Sequence, residues 1–141
     1  MLGSSAANAY QRSVQTTAPT HSIAVAITHA SYTDLDNDGF EDDVLVVSDF
    51  YLQNDDYYEF IYLITLILPS GIYYQYLVQV WAWVDYVSID NSFYNHATEA
   101  GNYTVIIEAL LLNPDVYYDV SIVIFDPPGG SDGGKPTFGA T

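Results

Sequence analysis

The residues with the clearest chemical potential lie in one acidic loop, residues 34–43, which reads DLDNDGFEDD. Alternate carboxylates followed by a glycine at the sixth position are what a twelve-residue calcium loop needs at its start. The carboxylates converge on a hard cation, and the glycine permits the sharp turn that follows. Aspartates this close also repel one another unless a cation offsets their charge. The loop predicts a calcium site, and the alternative is an acidic surface turn without a metal. The expected ligands are Asp34, Asp36, Asp38, the backbone carbonyl of Phe40, Asp42 and Asp43.

The end of this loop departs from the EF-hand pattern. Position twelve, where an EF-hand has a bidentate glutamate, is Leu45. A strand-forming run, residues 44–47, begins where the second helix of an EF-hand should start. The loop therefore resembles the DxDxDG half-motif that recurs outside EF-hands, as in dockerins and thrombospondin type 3 repeats. We expect Asp43 to close it.

Length and composition indicate one folded domain. The chain has 141 residues, half of them hydrophobic, which is enough to bury a core. It has no cysteine, so disulfides, zinc thiolate sites, iron–sulfur ligation and cysteine nucleophiles are all excluded. A bound calcium is one device that could stabilise an extracellular domain of this kind without disulfides.

The charges are distributed unevenly along the chain. All 18 acidic residues lie within residues 34–132, whereas the two basic residues, Arg12 and Lys135, lie outside that span. A body with this charge repels nucleic acid phosphates and anionic lipids, so neither is an expected partner. It attracts cations and the positively charged tail of another copy.

Residues 60–84 carry no charge, which is long enough for a membrane-spanning helix. The segment is nevertheless interrupted by residues 69–71, Pro-Ser-Gly, and is rich in tyrosine and β-branched residues that prefer strands. We therefore expect a hairpin and no membrane span. Residues 1–19 lack the apolar core of a signal peptide.

Most of the chain alternates between two side-chain faces, as strands do. The pattern predicts about seven strands separated by turn signals, with a short strand near residues 86–89 and a polar loop over 90–101. This predicts an all-β, immunoglobulin-like β-sandwich over residues 21–126. Residues 1–20 form an N-terminal extension, and residues 127–141 form a tail rich in glycine and proline. Both ends are expected to be flexible.

Two stretches resemble a known class of domain. Residues 100–105, AGNYTV, resemble the opening of the penultimate strand of immunoglobulin-like domains, where Tyr103 would form a tyrosine corner. Together with residues 33–43, TDLDNDGFEDD, they give the chain a resemblance to the calcium-bearing, immunoglobulin-like β-domains of prokaryotic surface and fibre proteins. The resemblance implies export to the cell surface or beyond, assembly and possible glycosylation. Asn102 begins the only N-glycosylation sequon in the sequence, although a chance occurrence is the alternative.

No pattern of catalytic residues is present. The three histidines are scattered, with neither a His-x-His pair nor a His-Glu-x-x-His motif. There is no G-x-S-x-G nucleophile signature, and the glycine-rich residues 129–134 follow no helix-forming segment that could bind phosphate. The sequence does not predict an enzyme.

We expect a structural subunit of an extracellular filament that assembles by β-strand addition between copies of itself and is stabilised by calcium. Several strands are apolar on both faces, which indicates surface that another chain must bury. The candidate donor strand lies within residues 10–20, where one face would carry Tyr10, Arg12, Val14 and Thr16. For this segment the alternative is that residues 1–20 are a disordered leader. The alternative is a calcium-stabilised carbohydrate-binding module, in which Trp81, Trp83 and neighbouring tyrosines stack on a glycan.

Overall fold

The computed structural model describes residues 22–53, 57–112, 117–125 and 135–141. These residues form eight strands and no helix. The strands are β1 (Ser22–Thr33), β2 (Asp43–Gln53), β3 (Tyr58–Ile67), β4 (Tyr73–Ala82), β5 (Tyr86–Tyr94), β6 (Tyr103–Leu111), β7 (Tyr117–Phe125) and β8 (Thr137–Ala140). In the part of the chain that the structure describes, no helix is long and apolar enough to cross a membrane.

The strands form two antiparallel sheets. Sheet A has the order β1-β2-β5-β8 and sheet B has the order β4-β3-β6-β7. This is the arrangement of immunoglobulin-like sandwiches, with β1, β2 and β5 in the places of strands A, B and E, and with β3, β6 and β7 in those of C, F and G. The predicted β-sandwich of about seven strands is confirmed.

The core lies between the two sheets and follows the period-two pattern of the sequence. The even-numbered residues of β2 and β3 and the odd-numbered residues of β6 point inward. The largest fully buried side chains include Phe50, Phe60, Tyr58, Tyr62, Tyr103 and Phe93. The ring of Phe50 lies 4.9 Å from the rings of both Phe60 and Tyr62, so aromatic contacts join the two layers at their centre.

The last residues of the chain differ from the sequence prediction. Residues 137–140, which were expected to belong to a flexible tail, form β8 and pair with β5 in the place of strand D. Phe138 stacks on Tyr76 of sheet B at 4.4 Å, and Thr141 exchanges two backbone hydrogen bonds with Asp90. The four residues of β8 include a glycine and are too few to show the alternation of a strand. The sequence pattern missed β8 because its pairing depends on β5, which is distant in the sequence.

Strand β5 is also longer than the sequence pattern predicts. Its second half was expected to be part of a polar loop, because Asp90, Asn91 and Ser92 interrupt the apolar alternation. Asn91 nevertheless faces the core, where it accepts a hydrogen bond from the Tyr62 hydroxyl at 2.6 Å and donates to the Val46 carbonyl at 3.0 Å. A buried amide is tolerated because its hydrogen bonds are made inside the protein.

The tyrosine corner expected at Tyr103 is present. The Tyr103 hydroxyl donates to the Glu99 carbonyl at 2.7 Å and accepts from the Glu99 backbone N–H at 2.9 Å. The buried ring thereby fixes the turn that precedes β6. Asn102 is exposed beside it.

Candidate functional site

The acidic loop joins β1 to β2 and is organised by its own carboxylates. Asp34 accepts hydrogen bonds from the backbone N–H groups of Asp38, at 3.1 Å, and Gly39, at 3.0 Å. Asn37 and Gly39 have positive φ angles of 60° and 92°, which allow the chain to turn around the Asp34 side chain. Asp38 in turn accepts a hydrogen bond from the N–H of Phe40 at 2.8 Å. Local sequence thus builds a compact loop around one carboxylate.

Asp43 connects this loop to the rest of the protein. Its Oδ2 atom accepts hydrogen bonds from the backbone N–H groups of Leu35, at 2.6 Å, and Asp36, at 3.1 Å. Its Oδ1 atom accepts a hydrogen bond from the backbone N–H of Asn95 at 2.8 Å. Asp43 is fully buried at the start of β2, so one carboxylate ties the β1–β2 loop to the end of β5.

Three of the six predicted ligands come together. Oxygen atoms of Asp34, Asp36 and Asp43 all lie within 4.8 Å of one another, an arrangement that could hold a metal ion. Calcium–oxygen distances are about 2.3–2.6 Å, so two oxygens on opposite sides of one calcium ion lie about 5 Å apart. The three carboxylates are therefore close enough for their oxygens to contact one ion of this size.

The other predicted ligands lie outside this group of three carboxylates. Neither Asp38 nor Asp42 belongs to it, and the ring of Phe40 is exposed. Asp42 is buried, and its backbone carbonyl accepts a hydrogen bond from the N–H of Ala97 at 2.8 Å. The described histidines, His29 and His96, are not members either, and the group consists entirely of oxygen donors, which suits calcium rather than a transition metal.

The electrostatics of the loop favour a cation. The pKa of Asp36 is raised above its ordinary value, first by partial loss of hydration and then by the negative charge of Asp43. The nearby charge of Asp38 contributes in the same direction. A bound divalent cation would reverse these effects, because it favours the ionised form of each carboxylate.

Asn95 is a residue of this junction that sequence reasoning did not identify. Its side-chain amide donates a hydrogen bond to the Lys135 carbonyl at 3.0 Å, just before β8. Its Oδ1 atom is buried and has no hydrogen-bond partner among the described residues. Its φ angle is 61°, a left-handed conformation that asparagine adopts more readily than most residues. This preference of asparagine was the only local indication in the sequence that residue 95 belongs to the junction.

A second candidate site is the outer surface of sheet B. The alternate residues of its four strands that point away from the core are mainly apolar, and we call this surface the outer apolar face. Its most exposed apolar members are Tyr73, Leu77, Trp81, Tyr118, Val120, Ile122 and Ile124. Within the four described strands, only Glu59 and Glu108 bring a charge to this face, where they lie opposite Trp81 and Val120.

The sheet edges differ in how they are protected. At one side of the sandwich, β1 and β7 lie against each other, and side chains of β7 accept backbone hydrogen bonds from β1. At the other side, β8 covers residues 91–94 of β5. Strand β4 lies at the same side and pairs only with β3 within the described residues. None of the described strands pairs with the outer edge of β4, so this is the edge that another strand could join.

The aromatic residues of the carbohydrate-binding alternative are exposed. Trp81 lies on the outer apolar face, and Trp83 follows β4 with 72% of its surface exposed. The Trp83 ring lies 5.1 Å from the ring of Tyr57 in a tilted arrangement. The predicted donor residues Tyr10, Arg12, Val14 and Thr16 lie outside the described residues. Neither a known protein family nor a curated protein matches this sequence.

Proposed function

We propose that this protein is a structural subunit of an extracellular filament, in which copies assemble by β-strand addition and calcium stabilises each subunit. The observation that carries the proposal is the outer apolar face of sheet B. Four strands and about nine residues per strand give this face an area of roughly 19 by 30 Å, or about 570 Å². This area includes the glutamines, threonines and glutamates of the face, and it lies within the range of about 300–600 Å² that the largest apolar patch of a monomer reaches; such patches often bind another molecule.

The distribution of charge supports assembly through this face. The formal net charge of −16 makes most pairs of surfaces on two copies repel each other. The outer apolar face carries two carboxylates across four strands, so most of its area adds no charge repulsion when two copies approach there. Arg12 of the N-terminal extension adds a positive charge that an acidic neighbour attracts.

Calcium has a mechanical role in this proposal. Asp34, Asp36 and Asp43 would hold the ion between β1 and β2, and Asp43 already links that loop to the backbone of Asn95. A cation there neutralises the repulsion within the loop and fixes the junction of three strands. In an assembled filament, this rigidity keeps one end of the sandwich folded under load without a disulfide.

Electron microscopy tests the proposal directly. The full-length protein in millimolar calcium is compared with a variant that lacks residues 1–20. We expect filaments from the full chain and monodisperse particles from the truncated chain, because the truncation removes the candidate donor strand and leaves the sandwich intact. Monodisperse particles from both proteins would overturn the proposal.

A second function is favoured by a specific observation, the exposure of Trp81 and Trp83 at the end of one hairpin. Aromatic rings on a sheet surface can stack on sugar rings, and a calcium-stabilised carbohydrate-binding module would use them in this way. A glycan screen with Trp81→Ala and Trp83→Ala variants separates the two functions. A monomer that binds glycan and loses binding in these variants would favour the binding module.

A further inference from the structure

We propose that the outer edge of β4 is the acceptor of the donated strand, and that the donor is residues 10–16 of a neighbouring copy rather than of the same chain. The inference rests on the proposed assembly by strand addition and adds the acceptor site and the direction of growth. Such an assembly is head-to-tail and open-ended.

The first argument is a comparison of the sheet edges. The N–H groups of Val25 and Ile27 on β1 already donate to side chains of β7, which fills that side of the sandwich. On the opposite side, β5 is covered at residues 91–94 by β8. Strand β4 has ten residues and no partner on its outer edge among the described strands. The other long edge strand, β1, has twelve residues, but it lies against β7 and donates to its side chains.

The second argument is the composition of β4. Edge strands of proteins that stay monomeric usually carry lysines, other charges, prolines or bulges, which prevent pairing with another chain. The sequence of β4, YYQYLVQVWA, contains no charge and no proline, and its register with β3 is uninterrupted over residues 73–82. The edge has the features of a strand that accepts a partner.

The third argument is incomplete burial along β4. Its inward-facing side chains, Tyr74, Tyr76, Val78 and Val80, are only partly buried, whereas Phe60 and Tyr62 on the adjacent β3 are fully buried. The core is therefore only partly covered at this side, where Phe138 of β8 stacks on Tyr76. An added strand with alternate apolar residues would cover the remaining surface, and Tyr10 and Val14 of the donor segment lie on one face of such a strand.

The fourth argument is reach. Because β1 lies against β7, Ser22 at the start of β1 lies at the side of the sandwich opposite β4. A strand added beside β4 would lie about four strand spacings and one layer away from β1, or about 21–22 Å in a straight line through the protein. The six residues from Thr16 to Ser22 span at most about 20–22 Å. The path around the protein is longer, so the donor of one chain reaches the β4 edge of a neighbour and not its own.

This geometry determines the symmetry of assembly. The donor leaves from one side of the sandwich and the acceptor lies at the other side, so each copy uses two different surfaces. A contact between different surfaces is heterologous, and it propagates as a fibre unless the rotation closes a ring. Growth by this route requires no change in the fold of the subunit.

Disulfide trapping tests whether the outer edge of β4 is the acceptor. Because the sequence has no cysteine, only the introduced cysteines can form a disulfide. Ser13→Cys is combined in turn with Gln75→Cys, Leu77→Cys and Gln79→Cys, which point away from the core and scan the register along β4. Residue 13 points outward when Tyr10 and Val14 of the added strand face the core, and a second series with Val14→Cys tests the opposite orientation of the donor. Disulfides form only when two Cα atoms lie within about 7 Å, so one register should link and the others should not.

The control places the second cysteine on a central strand. Tyr51→Cys on β2 is comparably exposed, but β2 is paired on both edges and cannot accept a strand. We expect at least one β4 pair to give a ladder of covalent multimers that reductant reverses. The pair that contains Tyr51→Cys should give no ladder. A cross-linked monomer that persists on dilution would show that each chain complements itself, which overturns the inference.

Electron microscopy of the same samples separates this inference from the proposed function. If filaments form but no β4 pair yields a ladder, the acceptor lies elsewhere and the inference is wrong, while assembly stands. If the wild-type protein forms no filaments at all, the proposed function itself has failed.

Discussion

The backbone N–H of Val25 donates a hydrogen bond to Asp119 Oδ2 at 2.8 Å, and this contact joins the two sheets at one side of the sandwich. Two residues further along β1, the N–H of Ile27 donates to Ser121 Oγ at 3.1 Å. The repeat of two residues places successive β1 donors opposite successive inward-facing side chains of β7. Side chains of β7 thus occupy hydrogen-bonding groups of β1 that another strand would otherwise occupy. Within residues 22–53, 57–112, 117–125 and 135–141, no strand pairs with the outer edge of β4.

We expect Asp119→Ala to destabilise the fold by about 1–3 kcal/mol, because the variant leaves a partly buried backbone donor without its charged acceptor. Urea unfolding measures the change. The variant should also associate more readily, since the edge of β1 becomes available to another strand.

Glu108→Ala is the matched control for this prediction. It removes the same negative charge from sheet B, but from the outer apolar face, where Glu108 accepts a long hydrogen bond of 3.4 Å from the Tyr118 hydroxyl. Equal unfolding curves for the two variants would mean that the Asp119 effect is one of net charge and not of edge protection.

One substitution in the acidic loop should have opposite effects on stability in the absence and in the presence of calcium. In the absence of metal, Asp36→Asn should stabilise the protein, because ionised Asp36 is repelled by Asp43 and its pKa is raised. In calcium, the same variant should be less stable than wild type, because the ion loses a ligand. Calcium at a hundredfold excess over its dissociation constant should stabilise the wild type by about 2.7 kcal/mol.

Thermal melts with calcium and with chelator measure both effects, and Asp90→Asn is the control because Asp90 is an exposed carboxylate outside the loop. Without metal, the raised pKa of Asp36 sets the direction in which stability changes with pH. A carboxylate with a raised pKa stabilises most below its unfolded value of 3.8, and that contribution is lost as the pH rises through the folded value. A wild-type melt that is the same with calcium and with chelator would contradict the metal site.

Local patterns in the sequence predict the parts of this structure that depend on short-range chemistry. Period-two alternation identifies the strands, and the tyrosine at position 103 indicates its own corner. The loop sequence brings Asp34 and Asp36 together, and Asp43 follows because β2 begins there. These features need only residues that lie close together along the chain.

Long-range pairing accounts for the features that sequence patterns miss. Strand β8 is recognisable only because β5 offers it an edge, and Asn95 becomes part of the junction because Asp43, 52 residues earlier, accepts its backbone N–H. The polar second half of β5 is a strand because Tyr62 and Val46 satisfy the buried amide of Asn91. In each case the partner is distant in sequence, so no local window contains the information.

The tyrosine corner is expected to contribute to folding and not to assembly. Tyr103→Phe removes the hydroxyl that both donates to and accepts from the backbone of Glu99, at a cost of about 1–3 kcal/mol. Urea unfolding measures this loss, and filament formation of the folded variant should remain as in wild type. Tyr118→Phe, which alters an exposed hydroxyl, is the control and should change stability little. A neutral Tyr103→Phe substitution would show that water replaces both hydrogen bonds.

The last prediction concerns acid sensitivity at His96, which lies in the aromatic cluster between β4 and β8. Its Nδ1 atom lies 2.7 Å from the Tyr94 carbonyl, which can only accept a hydrogen bond, so Nδ1 carries the proton. Nε2 then accepts from the Tyr76 hydroxyl at 2.6 Å, and the ring is held neutral. Burial lowers the pKa of His96 below its ordinary value of 6.5, although the Tyr94 carbonyl and the charge of Asp43 oppose this shift.

The sign of the linkage follows from that lowered pKa. Below about pH 6.5 the unfolded chain takes up a proton that the folded chain refuses, so stability falls as the pH decreases towards the folded pKa of His96. We expect urea midpoints measured from pH 7.5 to 5.5 to fall less steeply in His96→Gln than in wild type. His29→Gln replaces an exposed histidine on β1 and should leave the wild-type dependence in place. If His29→Gln removes the dependence and His96→Gln does not, then the buried ring is not the acid-sensitive group.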